Sequence, residues 1–307
     1  MVVVFFGTPE FAVPSLRALV GEGFDVRAVI TPPDRPQGRS RSTTVAPPVK
    51  VAALAEGLEV LQPERPTDPD LLHRLRHLAP DVAVVVAYGH LLKPELLAIP
   101  RRGMVNVHPS LLPQLRGAAP VEWAILNGLE TTGVTIMQLD AGMDSGPILH
   151  QLPHQIIPGT TGGELSEHLA EMGAQALIEA LVLWEQDGLK LVPQDHTRAT
   201  VAPKLTRETA RIDWTKPAIA VARQTWALDP KPAAWSMLGA LEVKLFGGQP
   251  VERSGRPGEV LATDTRLLIA CGDGSIETEE VQPAGKERMP AADWIRGRGP
   301  AAGHRFT

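Results

Sequence analysis

The stretch Asp81–Tyr88, DVAVVVAY, constrains the fold more than any other. An apolar run of this length, rich in β-branched residues and too short for a buried helix, reads as a strand covered on both faces. That is the mark of a central strand in a parallel sheet. Parallel neighbours need a crossover between them, and the chain supplies the pieces. Val2–Phe6 is another buried strand. Pro14–Val20 is a helix entered through proline and closed by Gly21, and Val26–Thr31 is the returning strand. Val49–Gly57 as helix, Leu58–Gln62 as strand and Asp68–Leu78 as a helix with an Asp-Pro start continue the alternation. The expected class is therefore α/β, with a doubly wound, mostly parallel sheet.

Within that frame the stretch Met104–Pro120, MVNVHPSLLPQLRGAAP, opens like the end of a buried strand and then turns polar. Asn106 and His108 are two residues apart, so an extended backbone points both side chains to one face. Pro109 lacks an N–H and ends the strand at the histidine. An amide and an imidazole at a strand's carboxyl end lie where open α/β sheets bind ligands. Downstream, a strand Gly133–Leu139 leads into DAGMDSGP, which brings Asp140 and Asp144 to the same sheet edge. A carboxylate beside an imidazole fixes its tautomer and favours its charged form, while an amide can donate to a developing oxyanion. These are parts for acyl transfer without a covalent intermediate. No serine or cysteine nucleophile has a base at recognisable local spacing.

Composition narrows the alternatives. The 307 residues allow one large or two ordinary domains. One cysteine, Cys271, excludes an intrachain disulfide and a cysteine-based metal site, and fits a reducing cytoplasm. MVVVFFG reads as a first strand rather than a signal segment, and no apolar run approaches a membrane span. The net charge of −5 argues against a general nucleic-acid binder, yet it divides unevenly: residues 1–202 carry −7 and residues 203–307 carry +2. Residues 188–215 shift to prolines, charges and turns, as a linker would. Beyond the helix Ala218–Leu228, short strands split by Gly, Pro and Asp turns suggest a small barrel or sandwich.

Asn106-x-His108 with SLLP after it, and D-x-G-x-D-x-G from Asp140 to Gly146, resemble the 10-formyltetrahydrofolate-dependent formyltransferases. GTPEFAVPSL, PDRPQGR, AYG, LLPQLRGAAP and GVTIMQLDAGMDSG strengthen the resemblance in the first part of the chain. APKLTRETARIDW and DPKPAAW extend it into the last third, toward the branch of the family that formylates methionyl-tRNA. The resemblance implies a formyltransferase-fold catalytic domain over 1–190, a linker at 191–204 and an OB-like, tRNA-binding β-barrel over 205–307. It places Asn106, His108 and Asp144 on the catalytic positions and Ser110, Leu111, Leu112 and Pro113 on the folate-binding loop. It implies formyl transfer from 10-formyltetrahydrofolate to initiator methionyl-tRNA in the cytoplasm, by a monomer with no metal and no membrane association. The loop at 32–48 departs from the family: GRSRSTTV carries a serine where lysines are frequent.

That loop has no apolar periodicity, and loops of such length are usually functional or mobile; its middle is expected to be poorly ordered without RNA. Its Arg39 and Arg41 are expected to contact tRNA. Trp214, Trp226, Trp235 and Trp294 offer stacking surfaces for RNA, but core anchoring is the commoner use of tryptophan and is the expectation here. His150 and His154 have an i, i+4 spacing broken by Pro153, which speaks against a metal site. Two other readings compete with formylation of methionyl-tRNA. One is the same chemistry on a small amine such as an amino-sugar nucleotide, and the other is a non-catalytic folate- or RNA-binding protein.

Overall fold

The structure, a computed structural model, describes residues 1–37, 43–186, 188–262, 266–297 and 299–307. They form two compact units that interleave along the chain. The first comprises Met1–Gly117, Thr132–His154 and Ser166–Val201, and the second Ala118–Thr131, Gln155–Leu165 and Ala202–Thr307.

The first unit is built on seven strands: β1 (Val2–Gly7), β2 (Asp25–Ile30), β3 (Val60–Leu61), β4 (Val82–Val86), β5 (Met104–His108), β6 (Thr131–Gln138) and β7 (Ile148–Gln155). Their order across the sheet is β7-β6-β5-β4-β1-β2-β3. Strands β1 to β5 run parallel, and β6 is antiparallel to β5. All five residues of β4 are buried, as expected of a central strand with both faces covered. The chain winds from β1 outward through β2 and β3, then returns to place β4 on the other side of β1. The β1–β4 border is therefore the topological switch point, where such sheets open a crevice at their carboxyl edge. Thr8 Oγ1 donates to Tyr88 O across that border at 3.1 Å.

One helix shows how the sheet is covered. Pro69–Leu78 starts at Asp68, whose carboxylate accepts the Asp70 N–H at 2.9 Å, and stops at Ala79, held left-handed at φ 46°. Leu71, Leu72, Leu75 and Leu78 share its inner face, at the i, i+3/i+4 spacing that one buried stripe requires. They pack with Val4, Phe6, Ile30, Val85 and Tyr88. The Tyr88 ring meets Phe6 edge-on at 5.3 Å, and burial pushes its phenol up to about 12. The tyrosine of the AYG motif is thus a neutral core residue. On the long helix Gly162–Glu185, Gly173 faces β5; a Cβ there would lie 2.7 Å from Val107 Cγ1. Only glycine lets the helix lie so close to the strand that carries Asn106 and His108.

The loop at 32–48 is more ordered at its base than its composition predicts. Arg35–Gln37 pairs antiparallel with Thr43–Val45. Below this ribbon the Asp34 carboxylate accepts two bonds from Lys50 Nζ, at 2.8 and 2.9 Å, and one from Gln62 Nε2 at 2.8 Å. These bonds, with the Lys50 hydrogen bond first, hold the Asp34 carboxyl below the usual carboxylate range. Arg39 and Arg41 lie outside the described residues.

In the second unit the strands after residue 230 are antiparallel and fall into two four-stranded sheets. Ala234–Leu238, Leu241–Phe246, Glu280–Pro283 and Met289–Pro290 make one; Gln249–Val251, Ser275–Thr278, Leu267–Ala270 and Val260–Ala262 make the other. The four tryptophans are core anchors, none more than 9% exposed. Trp214 Nε1 donates to Ser236 Oγ at 2.8 Å and Trp235 Nε1 to Arg207 O at 3.0 Å, so their polar edges are satisfied by protein. Asp229, 6% exposed, is held by Arg288 through two bonds of 2.7 and 3.0 Å. Removing one partner strands a buried charge. Because Arg288 is itself 36% exposed, water softens the penalty. Arg288→Ala is expected to lower unfolding free energy by about 2 kcal/mol in urea titration, with Arg288→Lys losing less.

Candidate active site

Strand β5 delivers its two polar residues as the alternation requires. Asn106 pairs in register with Val85 on β4 and Met137 on β6, and His108 lies opposite Thr135 on β6. His108 is 4% exposed, whereas Asn106 is only half-buried. Among the described residues no side-chain hydrogen bond engages the Asn106 amide, so its N–H donors are available to a ligand.

Both ring nitrogens of His108 are accounted for. Nε2 lies 3.0 Å from Leu115 O, and since a carbonyl can only accept, Nε2 carries the proton. Nδ1 is then the unprotonated nitrogen of the neutral ring, and it faces Asp144 Oδ2 at 3.9 Å, beyond hydrogen-bonding distance. Burial lowers the His108 pKa below the ordinary histidine value; the Asp144 charge and the Leu115 carbonyl push upward but do not reverse it. The neighbouring carboxylate does push this imidazole toward its charged form, as expected, but burial is the larger effect and the net shift is downward. Asp144 offsets part of the desolvation cost, and the ring is neutral near pH 7.

The two aspartates of the D-x-G-x-D-x-G loop separate cleanly. Asp140 turns back on its own loop, accepting from Gly142 N at 2.9 Å and Ser145 Oγ at 2.9 Å. Asp144, left-handed at φ 49°, directs Oδ2 to the Gly117 N–H at 2.8 Å and toward His108. Gly146 closes the loop so tightly that a Cβ would lie 2.0 Å from Gln138 O.

The Ser110–Pro113 loop leaves β5 directly and is clamped by residues that sequence reasoning missed. Thr135 Oγ1 donates to Ser110 O at 2.6 Å and accepts the Leu112 N–H at 3.1 Å. Gln151 Nε2 bonds both Leu112 O, at 3.0 Å, and Thr135 Oγ1, at 2.8 Å. Ser110 and Leu112 are buried at 1% and 3% exposure. A usable signal was present: Thr135 is a polar residue inside the apolar strand GVTIMQ, and a buried polar group is the informative exception. His150 pairs with Glu179 at 2.9 Å, and the His154 ring lies 4.2 Å from that of His168. Among the described residues no group of three or more His, Cys, Asp or Glu is placed to hold a metal ion.

The model described as "Formyl transferase" matches residues 1–181, and "Formyl transferase, C-terminal domain" matches residues 204–299. The chain belongs to the formyl transferase family. A protein of Chloroflexus aggregans named methionyl-tRNA formyltransferase is 46% identical over 97% of this chain and 97% of its own length. Among solved structures, the N-formyltransferase of Helicobacter canadensis, in complex with folinic acid and dTDP-3-aminofucose, superposes with a TM-score of 0.70. It is 18% identical, with 91% of this chain and 98% of that one covered. HypX of Aquifex aeolicus in complex with tetrahydrofolic acid gives 0.65 at 21% identity, over 95% of this chain and 46% of that one. At such identities both likenesses concern the fold alone.

Proposed function

We propose that this formyltransferase moves the formyl group of 10-formyltetrahydrofolate to the α-amine of methionyl-tRNA, giving N-formylmethionyl-tRNA for translation initiation. The observation that carries this reading is the near-full-length similarity to a named methionyl-tRNA formyltransferase, which includes the second unit as well as the catalytic sheet. The donor set also fits a formyl donor: an amide N–H at Asn106 that no side-chain hydrogen bond engages among the described residues, a buried neutral imidazole, and a carboxylate beside its open nitrogen.

10-Formyltetrahydrofolate supplies the formyl carbon that the amine attacks. Asn106 presents its amide N–H to the oxygen that gains negative charge as the amine adds. The α-amine, with an unperturbed pKa of about 7.7, is partly neutral at working pH. His108 Nδ1 takes the proton the amine gives up, and Asp144, close behind, stabilises the imidazolium as it forms. That proton is passed on to the folate nitrogen N10 as the bond from the formyl carbon to N10 breaks, so that tetrahydrofolate leaves neutral and the imidazole is restored. Leu115 O holds the ring in the tautomer that keeps Nδ1 open. Ser110–Pro113 is assigned to the folate and the mildly basic second domain, residues 205–307, to the tRNA. The protein is read as a cytoplasmic monomer, and no helix among the described residues is long and apolar enough to cross a membrane.

The direct test supplies purified protein with 10-formyltetrahydrofolate and initiator or elongator methionyl-tRNA, with an amino-sugar nucleotide as a competing acceptor. Formylmethionine on initiator tRNA is the expected product; formylation of the sugar alone refutes the reading. In the same assay, Arg39→Ala with Arg41→Ala should weaken tRNA binding and flatten log K against log salt by roughly one unit per lost phosphate contact. Folate affinity should not change.

A further inference from the structure

Residues 182–203 lie between the two matched family models and belong to neither. Two side chains from the later part of this stretch, Gln194 and Thr200, nevertheless reach the residues that hold His108. Gln194 is 6% exposed, and its amide is fully used. Nε2 donates to Asp144 O at 2.9 Å and to Gly146 O at 2.7 Å, while Oε1 accepts from Arg116 Nε at 3.1 Å and Nη2 at 2.6 Å. Thr200, further along, makes three bonds to the opposite side. Its Oγ1 accepts the Leu115 N–H at 2.8 Å, its carbonyl accepts the Arg116 N–H at 2.9 Å, and its own N–H donates to Pro113 O at 3.3 Å. At the start of the segment, Val192 and Ile148 exchange backbone bonds of 2.8 and 2.9 Å.

The two residues that face the His108 nitrogens are Leu115, at Nε2, and Asp144, at Nδ1. Both are left-handed non-glycine residues, at φ 59° and 49°. Such conformations persist only where the surroundings enforce them. Here one short segment pins both: Gln194 grips the Asp144 backbone, and Thr200 grips the Leu115 backbone. Through these contacts the segment sets the tautomer of His108 from one side and the position of its carboxylate from the other.

We propose that residues 192–200 form a brace of the active site, with Gln194 and Thr200 as positioning residues for the Asp144–His108–Leu115 array. The proposal rests on the reading of His108 and Asp144 as catalytic. The side chains of this brace act on the chemical step, not on either substrate's affinity, because none of their bonds is offered to a ligand or to the Ser110–Pro113 loop. The one bond to that loop, at Pro113 O, comes from the Thr200 backbone.

The test compares Gln194→Leu, Thr200→Val and Thr200→Ser with the wild type in the full chain, each first shown to be folded by circular dichroism and thermal melting. Steady-state formylation and an NMR titration of His108 are the readouts. Gln194→Leu and Thr200→Val are expected to lower kcat about tenfold or more, since small misplacements of reacting groups are costly. KM for either substrate should stay within about twofold of the wild type, and the His108 midpoint should move. Thr200→Ser retains the hydroxyl and should restore both kcat and midpoint. Wild-type kcat and an unmoved His108 midpoint in folded Gln194→Leu and Thr200→Val would overturn the brace. So would losses of kcat that merely follow a loss of folded protein. Should Gln194→Leu fail to fold, the near-isosteric pair Thr200→Val and Thr200→Ser decides alone. His108→Gln separates this proposal from the one beneath it: if that variant keeps turnover, the catalytic reading has failed; if it is inactive while the brace variants are normal, only the brace has failed.

Discussion

Asn106→Ala is expected to leave a folded protein with unchanged folate binding and a kcat lower by roughly 10²–10³-fold, the usual cost of losing one oxyanion donor. The fold should survive because Asn106 is half-buried and, among the described residues, its amide supports no side-chain hydrogen bond. Nothing buried is left unpaired by the change. Asn106→Asp makes the sharper comparison. It keeps the shape of the side chain but turns a donor into an anionic acceptor, which opposes the charge developing on the formyl oxygen. Its loss should exceed that of alanine at equal stability. Single-turnover formyl transfer with both substrates saturating checks the order, and an aspartate variant as active as the wild type would remove Asn106 from the mechanism.

The second large effect is expected at Asp144. Asp144→Asn preserves size and can still accept the Gly117 N–H now bonded at 2.8 Å, so the loop should keep its form. What disappears is the charge 3.9 Å from His108 Nδ1. Turnover should drop by roughly 10²–10⁴-fold, the range spanned by general acid–base contributions. The pH behaviour distinguishes charge from mere shape. In the native protein burial already holds the His108 pKa below its unfolded value of about 6.5, with Asp144 opposing. Removing the carboxylate removes the opposition, so the NMR midpoint of His108 should fall further. The sign for stability follows. The unfolded chain binds a proton at His108 more readily than the native one. That contribution to stability is present above the unfolded value and is lost as pH falls through the lower native value. The acid side of the unfolding profile should therefore steepen. A midpoint that rises, or stays fixed, contradicts the assignment of Asp144 as the stabiliser of the imidazolium.

Local and periodic features were legible in the residues alone. DVAVVVAY could only be a strand covered on both faces, since so short an apolar run has no polar side to offer water, and it became the fully buried β4. The alternation of such strands with capped helices determined the winding of the sheet, and Pro109 determined where β5 stops. Two-residue spacing put Asn106 and His108 on one face, because extended chains alternate. Composition was less informative for the loop at 32–48, where pairing of Arg35–Gln37 with Thr43–Val45 and the Asp34–Lys50–Gln62 contacts arise from residues that show no periodicity.

The resemblance singled out Asp144 from Asp140, but how it reaches the histidine, and which nitrogen of that histidine it faces, came from the fold. The two aspartates share a loop and a residue type; what separates them in space is the left-handed backbone at Asp144 and the Gly117 N–H that donates to its carboxylate. The state of His108 was likewise a matter of burial, which outweighs a charge at 3.9 Å and cannot be read from neighbours in the chain. Thr135 bonds Leu112 across 23 residues, Gln194 bonds Asp144 across 50, and Thr200 bonds Leu115 across 85. Hydrogen bonds at such separations leave no pairing pattern in a sequence, because each partner satisfies only its own local preferences until the fold brings the two to hydrogen-bonding distance.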